Sequence, residues 1–349
     1  MVIYTGSLNI NMAKKNNTLM YGVIGLAVLI IAVIGIGFYG GNTGTPEMEK
    51  VTVIMPFVPL PTWNAIYSGI EKGYYADEGL NISITYAPEG SFGAIKQVGA
   101  GNVEFGIASG DSIITAQSQD IPVVAIYQVE HQDLFGIIVK SESNITTPKD
   151  LEGKTIAIPG PGSPPDIAAK VIMKNAGADY TTVNFVPVGA TLVPMLLQNK
   201  ADAIGAYIEQ EEMLKRESVK FRTMYAKDYN ANLVTLCVMT NENMINNNPD
   251  LVKKFVRATN KGYEYAIAHP EEAVDTFITK FNPVAVEHKD MHMAIWNRNI
   301  EEVIQPDKYP LGQFNKDQWT MTQDTLFDLG MITKKIPVSE MYTDKFVPK

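Results

Sequence analysis

Two acids, placed alike in two similar stretches, carry the clearest chemistry in this chain. Asp111 follows Ser109 and Gly110 after the apolar run Val103 to Ala108, and Glu209 follows Tyr207 and Ile208 after the run Ala201 to Ala206. Aligning Glu104 with Asp202 sets Ser109 on Tyr207 and Asp111 on Glu209, a faint internal repeat. Carboxylates only accept hydrogen bonds, so two acids facing one pocket favour an amine or an exocyclic amino group and repel an anion. The chain has only four arginines. Arg216 and Arg222 follow Glu209 by seven or more residues, and Arg257 and Arg298 belong to the helical C-terminal part, so no guanidinium is expected beside the acids. Asp111 also reads as a helix cap, and Glu209 as a solvated helix start.

Further candidates line three loops. Pro56-Phe57-Val58-Pro59-Leu60-Pro61-Thr62-Trp63-Asn64 is stiffened by proline, and its Phe57 and Trp63 suit a flat ligand, with packing of Trp63 as the plainer reading. Gly160-Pro161-Gly162-Ser163-Pro164-Pro165-Asp166 lets a ligand approach the backbone, although Ser163 and Asp166 also read as a capping box. His131 and Gln132 lie where the chain is expected to pass between lobes. His288 and His292 stand four apart without the glutamate of a zincin, and a surface helix is expected there. No G-x-S-x-G or Walker loop is present, so no catalytic machinery, cofactor or metal is expected. Cys237, the one cysteine, excludes an intrachain disulfide and a cysteine zinc cluster.

These residues need elements to position them. Apolar runs at Val51 to Ile54, Ile82 to Tyr86, Val103 to Ala108, Val123 to Ile126, Ile137 to Val139, Thr155 to Ile158, Phe185 to Val188, Ala201 to Ala206 and Leu233 to Val238 read as strands. Helical stretches at Trp63 to Tyr75, Phe92 to Ala100, Asp111 to Gln119, Pro165 to Ala176 and Thr191 to Gln198 fall between them, which predicts an α/β fold with parallel sheets. The two acids then sit at strand carboxyl ends, where such sheets bind ligands. After Val238 the chain reads as almost wholly helical, with the clearest helix running from Asn248-Pro249 to His269-Pro270.

At 349 residues, 46% apolar and 19% charged, the chain is long enough for two domains. A net charge of −9 with no basic stripe argues against nucleic acid. Leu19 to Tyr39 is 21 residues without a charge, preceded by Lys14 and Lys15, and is read as a transmembrane anchor with the body outside the cytoplasm. A cleaved signal is the alternative, disfavoured because the exit Gly40-Gly41-Asn42-Thr43-Gly44 offers no clear cleavage site, and Met12 reads as a second start. The expected division is 1–18 cytoplasmic, 19–39 anchor, 40–49 linker, 50–131 with 232–349 as lobe I, and 132–231 as lobe II.

Three motifs carry a resemblance. Gly69-Ile70-Glu71-Lys72-Gly73-Tyr74-Tyr75-Ala76-Asp77-Glu78-Gly79-Leu80, Pro148-Lys149-Asp150-Leu151-Glu152-Gly153-Lys154, and the stretch from Asn248 to Tyr263 resemble the extracytoplasmic solute-binding proteins of ABC importers. The branch is the one that groups sulfonate, taurine and nitrate binders with binders of thiamine-pyrimidine precursors. The resemblance spans about Val51 to Ile332. It implies a type II periplasmic-binding-protein fold, two lobes hinged around a central cleft, a small-molecule ligand, separate permease and ATPase chains, a monomer and no catalysis. The cleft would draw on Phe57, Trp63, Asn64, Ser109, Asp111, His131, Gln132, Ser163, Tyr207 and Glu209, with hinges near Gln128 to Asp133 and Asn230 to Thr235. The two acids favour a pyrimidine precursor or similar nitrogen-bearing ligand. The alternatives are a sulfonate, taurine or nitrate-type anion, a pyrimidine-forming enzyme of the same fold, and a sensor ectodomain. The enzyme is disfavoured by the missing cysteine-rich motif and the few histidines.

Overall fold

A computed structural model describes residues 48–87 and 89–349. The expected anchor, Leu19 to Tyr39, lies outside the described residues, and among those described no helix is long and apolar enough to cross a membrane. The first sheet is begun by β1 (Glu49–Met55), β2 (Leu80–Tyr86), β3 (Phe105–Ser109) and β4 (Val123–Gln128). The chain then builds a second sheet from β5 (Gly136–Lys140), β6 (Thr155–Ile158), β7 (Asn184–Pro187), β8 (Ala203–Ala206) and β9 (Phe221–Tyr225), and returns to the first with β10 (Leu236–Asn241). The strand orders are β2-β1-β3-β10-β4 and β7-β6-β8-β5-β9. Each sheet with its helices is one lobe.

The helices follow the strands that they cover. α1 (Asn64–Glu71), α2 (Tyr74–Asp77), α3 (Ser91–Gly99) and α4 (Gly110–Ser118) belong to the first lobe, and α5 (Pro164–Asn175), α6 (Leu192–Leu197) and α7 (Ile208–Arg216) to the second. The helical C-terminal part comprises α8 (Glu242–Asn247), α9 (Pro249–Ala268), α10 (Pro270–Thr276), α11 (Lys289–Arg298), α12 (Lys316–Asp328) and α13 (Val338–Met341). As its periodicity predicts, α9 starts with proline at its first position and buries Leu251, Phe255, Ala258 and Gly262. Gly262 allows a close crossing with α1, because a Cβ there would stand 2.4 Å from the Ala65 carbonyl oxygen. Phe255 stacks on Phe105 of β3 at 3.9 Å between ring centres, tying the helix to the sheet.

Four details differ from the sequence reading. The sheets are mixed rather than parallel: β10 runs antiparallel to β3 and β4, and β5 antiparallel to β8 and β9. These are the strands that open each lobe visit after the chain has crossed over, so no helical crossover forces them parallel. Strand β10 starts three residues later than its apolar run, because the Thr235 carbonyl is already engaged by the Gly110 N–H. Strand β9 was not anticipated, since Phe-Arg-Thr-Met-Tyr is a half-buried edge with no continuous apolar run. The helix expected over Trp63 to Tyr75 breaks at Gly73, whose φ of 77° is left-handed.

The two crossings are bound together. Asn232 on the return crossing accepts from the Gln132 side-chain amide at 3.0 Å and the Asp133 N–H at 2.7 Å, and its own amide donates to the His131 carbonyl at 3.1 Å. Gln318 of α12 donates to the carbonyls of His131 and Leu233, one on each crossing.

Candidate functional site

Both acids stand where the strand-to-helix spacing puts them. Strand β3 ends at Ser109, α4 starts at Gly110, and Asp111 lies in the first turn at 2% exposure. One oxygen of Asp111 accepts from the Ser109 hydroxyl and the Ser112 N–H, so the acid does serve its helix start. Burial nonetheless pushes the Asp111 carboxyl up to about 6. Glycine at 110 is required, because a Cβ would meet the Val234 side chain at 2.3 Å.

The second acid reaches out of its own lobe. Tyr207 opens α7, with its N–H held by the Gln210 side chain at 2.9 Å, and Glu209 stands half-buried in the first turn. Glu209 accepts from the Thr62 hydroxyl of the first lobe at 3.0 Å. The Tyr207 hydroxyl likewise crosses, donating to Glu130 at 3.2 Å, with Asn299 at 3.4 Å. Glu130 is buried on the outgoing crossing, and its other oxygen accepts the Leu236 N–H at 3.3 Å. Burial raises Glu130 to about 7 and holds Glu209 above the usual carboxylate range. Asp133 lies well above its ordinary value, first through burial and then through the charges of Asp111 and Glu130. Four acids therefore share the region where the lobes meet.

The expectation that no arginine stands near Glu209 is corrected. Arg298, at the end of α11, pairs with Glu211 and Glu212 of α7 and lowers Glu209 through its charge. A helix seventy or more residues away in sequence gives no local sign of that approach. Three carboxylates, those of Glu211, Glu212 and Glu302, share this guanidinium, and Glu212 also pairs with Lys215 at 2.6 Å, so three acids face two cations and the cluster stays acidic by one charge.

The other expected residues divide. Asn64 is fully buried at the start of α1, and neither atom of its amide has a hydrogen-bond partner among the described residues. The Ser68 hydroxyl, one turn along the same helix, is equally unpartnered. Buried polar groups of this kind are costly unless something else satisfies them. Trp63 is 3% exposed in the first-lobe core and donates its indole N–H to the Val58 carbonyl at 3.3 Å, a packing geometry, while Phe57 is 40% exposed. Gln132 is committed to Asn232. The imidazole of His131 stacks on Tyr309 at 4.6 Å and borders a cavity of about 280 Å³ with Gln313, Asn315, Lys316 and Asp317. Burial lowers His131 to about 4, so it is neutral, and neither ring nitrogen has a partner among the described residues.

Two local readings fail. Ser163 makes no capping box, because its hydroxyl turns back to the Gly160 carbonyl at 2.7 Å while Asp166 accepts from the Gly162 N–H and Lys170. The glycine at 162, with φ at 74°, bends the loop so that Asp166 meets the chain before the cap. His292 is not on a solvated face: it is 8% exposed against the edge of Phe277. The sequence reading missed Thr62, Glu130, Asn299 and Arg298. Only Glu130 had a local signal, a charge enclosed between the apolar β4 and β5.

Comparison with known proteins agrees with this fold. The chain is 28% identical over 301 residues to the formylaminopyrimidine-binding protein of Halalkalibacterium halodurans, covering 83% of this chain and 89% of that one. It is 26% identical over 315 residues to the riboflavin-binding protein RibY of Chloroflexus aurantiacus, 87% of each. A Saccharomyces cerevisiae relative named 4-amino-5-hydroxymethyl-2-methylpyrimidine phosphate synthase THI11 is 26% identical over 246 residues, covering 66% of this chain and 71% of that one. The solved periplasmic aliphatic sulphonate-binding protein SsuA from Escherichia coli has the same fold, with a TM-score of 0.67 at 14% identity over 84% of this chain and 97% of that one. Residues 61–273, which run from the proline loop through both lobes into α10, match the model of the family described as NMT1/THI5 like, and the chain belongs to that family.

Proposed function

We propose that this chain is an extracytoplasmic solute-binding receptor of an ABC importer, tethered by its N-terminal segment, that closes two lobes around a small nitrogen-bearing ligand. The lobes divide at 50–131 with 232–349 and at 132–231, and the ligand sits between the starts of α4 and α7. The observation that carries this reading is the set of acids between the lobes, Asp111 and Glu130 buried and Glu209 half-buried, each held above the usual carboxylate range. A ligand with amino or ring N–H groups gives these carboxylates the donors that a strongly anionic ligand lacks. The relative that binds formylaminopyrimidine supports a pyrimidine of that class. The unpartnered Asn64 amide, with one donor face and one acceptor face, suits the same ring edge.

A second reading, catalysis on a pyrimidine, is favoured by the relatives named as pyrimidine phosphate synthases. Against it stand neutral, buried His131 and His292 and a buried Cys237 whose thiol burial pushes up, away from the reactive form. A thermal-shift screen separates the readings. Aminopyrimidines, riboflavin, taurine, alkylsulfonates and nitrate are each added to the purified body, with product analysis of every stabilising compound. A rise in melting temperature with aminopyrimidines and no turnover supports the receptor. Stabilisation by the anions alone puts the acids outside the pocket, and steady conversion establishes an enzyme.

A further inference from the structure

Contacts between the lobes gather on the first turns of α7, and one of them does not involve the acids of the ligand region. Arg298 reaches from α11 to Glu211 at 2.7 Å and Glu212 at 3.1 Å. Its own helix belongs to the first lobe, where Trp296 donates its indole N–H to the Ala266 carbonyl of α9 at 3.0 Å. Glu211 and Glu212 belong to the second. The side chains of the three are 16%, 4% and 8% exposed, so the attraction is screened far less than at a surface pair. Glu211 is also fixed by the hydroxyls of Thr223 and Tyr225, each at 2.7 Å, and so is pointed at the guanidinium by its own lobe.

A latch must also release. Arg298 keeps a partner on its own side, Glu302, one turn later at 2.7 Å. When the lobes part, the guanidinium retains that carboxylate while Glu211 and Glu212 regain water, and no charge is left both buried and unpaired. Arg298 makes no hydrogen bond to Asp111, Glu130 or Glu209 among the described residues and acts on Glu209 only through its charge, so its direct partners are the carboxylates of α7 and its own Glu302.

We infer that the Arg298–Glu211–Glu212 cluster is a closure latch that sets ligand affinity through the population of the closed state, with Arg298 as a positioning residue. This rests on the reading of the interlobe region as the ligand cleft. Apparent affinity scales with the fraction of protein in the binding-competent form, so a stronger latch tightens every ligand alike. A residue touching the ligand would instead discriminate among ligands.

The test uses ligand-free protein, which separates its failure from any error about the ligand. Exposed cysteines are introduced on the two edge strands through Asn81→Cys and Asn184→Cys, Cys237 being buried, and distances between attached spin labels are measured by pulsed electron resonance. Arg298→Met is expected to shift the ratio of short to long distances toward long by about tenfold or more, equivalent to about 1.4 kcal/mol. The isosteric pair Glu211→Gln with Glu212→Gln is expected to do the same, and adding Arg298→Met to it is expected to change the ratio less than about twofold. Distance distributions that neither replacement alters overturn the latch, as does an Arg298→Met effect that is undiminished when both glutamates are already gone.

Discussion

Replacing Glu130 by glutamine isolates the electrostatics of the interlobe region. Glu130 is 1% exposed, and burial carries its carboxyl from 4.5 to about 7. A carboxyl that ionises less readily when folded keeps its proton in the native chain at pH values where the unfolded chain has lost it. The stability contributed by Glu130 is therefore complete below 4.5 and falls as pH rises to about 7. The loss proceeds at about 1.4 kcal/mol per pH unit and amounts to about 3 kcal/mol in all. Asp111 acts in the same direction between 3.8 and about 6. His131 and His292, both lowered to about 4 from 6.5 by burial, act in the opposite direction, because they must be neutral in the folded chain. Asp133 and Glu209 are raised as well, so groups acting in both directions titrate together in the wild type, and only a difference between variant and wild type exposes the single group.

The assay is urea unfolding of ligand-free wild type and Glu130→Gln across this pH range. Glutamine keeps an acceptor for the Leu236 N–H and presents its amide to the Tyr207 oxygen, so the replacement preserves shape and polar contacts. Any constant offset from altered hydrogen bonding cancels in the pH slope. The variant is expected to gain on wild type by about 3 kcal/mol between pH 4.5 and about 7, with the gap constant above that. Two parallel curves would refute the reasoning, because they would mean that Glu130 ionises as readily in the folded chain as in the unfolded one.

Three further outcomes follow from the same geometry. Asp111→Asn is expected to weaken, by about tenfold or more, whichever aminopyrimidine stabilises the wild type, measured by titration calorimetry; unchanged affinity would remove Asp111 from the ligand's surroundings. Trp63→Ala is expected to cost about 3 to 5 kcal/mol in urea unfolding, since the side chain fills the first-lobe core, and a loss below about 1 kcal/mol would contradict that packing. Gly312→Ala is expected to destabilise by more than about 1 kcal/mol, because φ is 78° and a Cβ would stand 2.4 Å from the Tyr127 ring; an unchanged melting temperature would refute it.

What the sequence disclosed and what it hid have a common physical cause. Asp111 and Glu209 were legible because a strand, a tight turn and a helix start are encoded within a dozen residues, and a carboxylate there has few places to go. The partners of these elements were not legible, because they are fixed by how the two lobes meet. Thr62 and Glu209 are 147 positions apart, Arg298 and Glu211 are 87, and Tyr207 and Glu130 are 77. No periodicity connects residues at such separations. The directions of β5 and β10 were hidden for the same reason, since each is set by the crossing that precedes it rather than by its own apolar run. The mistaken inference about arginine shows the consequence for function. A charge count along the chain left Glu209 without a cation, whereas the folded chain brings Arg298 beside α7 and gives it three carboxylates. The preference for a donor ligand therefore does not rest on the scarcity of arginine. It rests on the arginine's being already engaged, which leaves Asp111 and Glu130 buried with hydroxyl and backbone donors only.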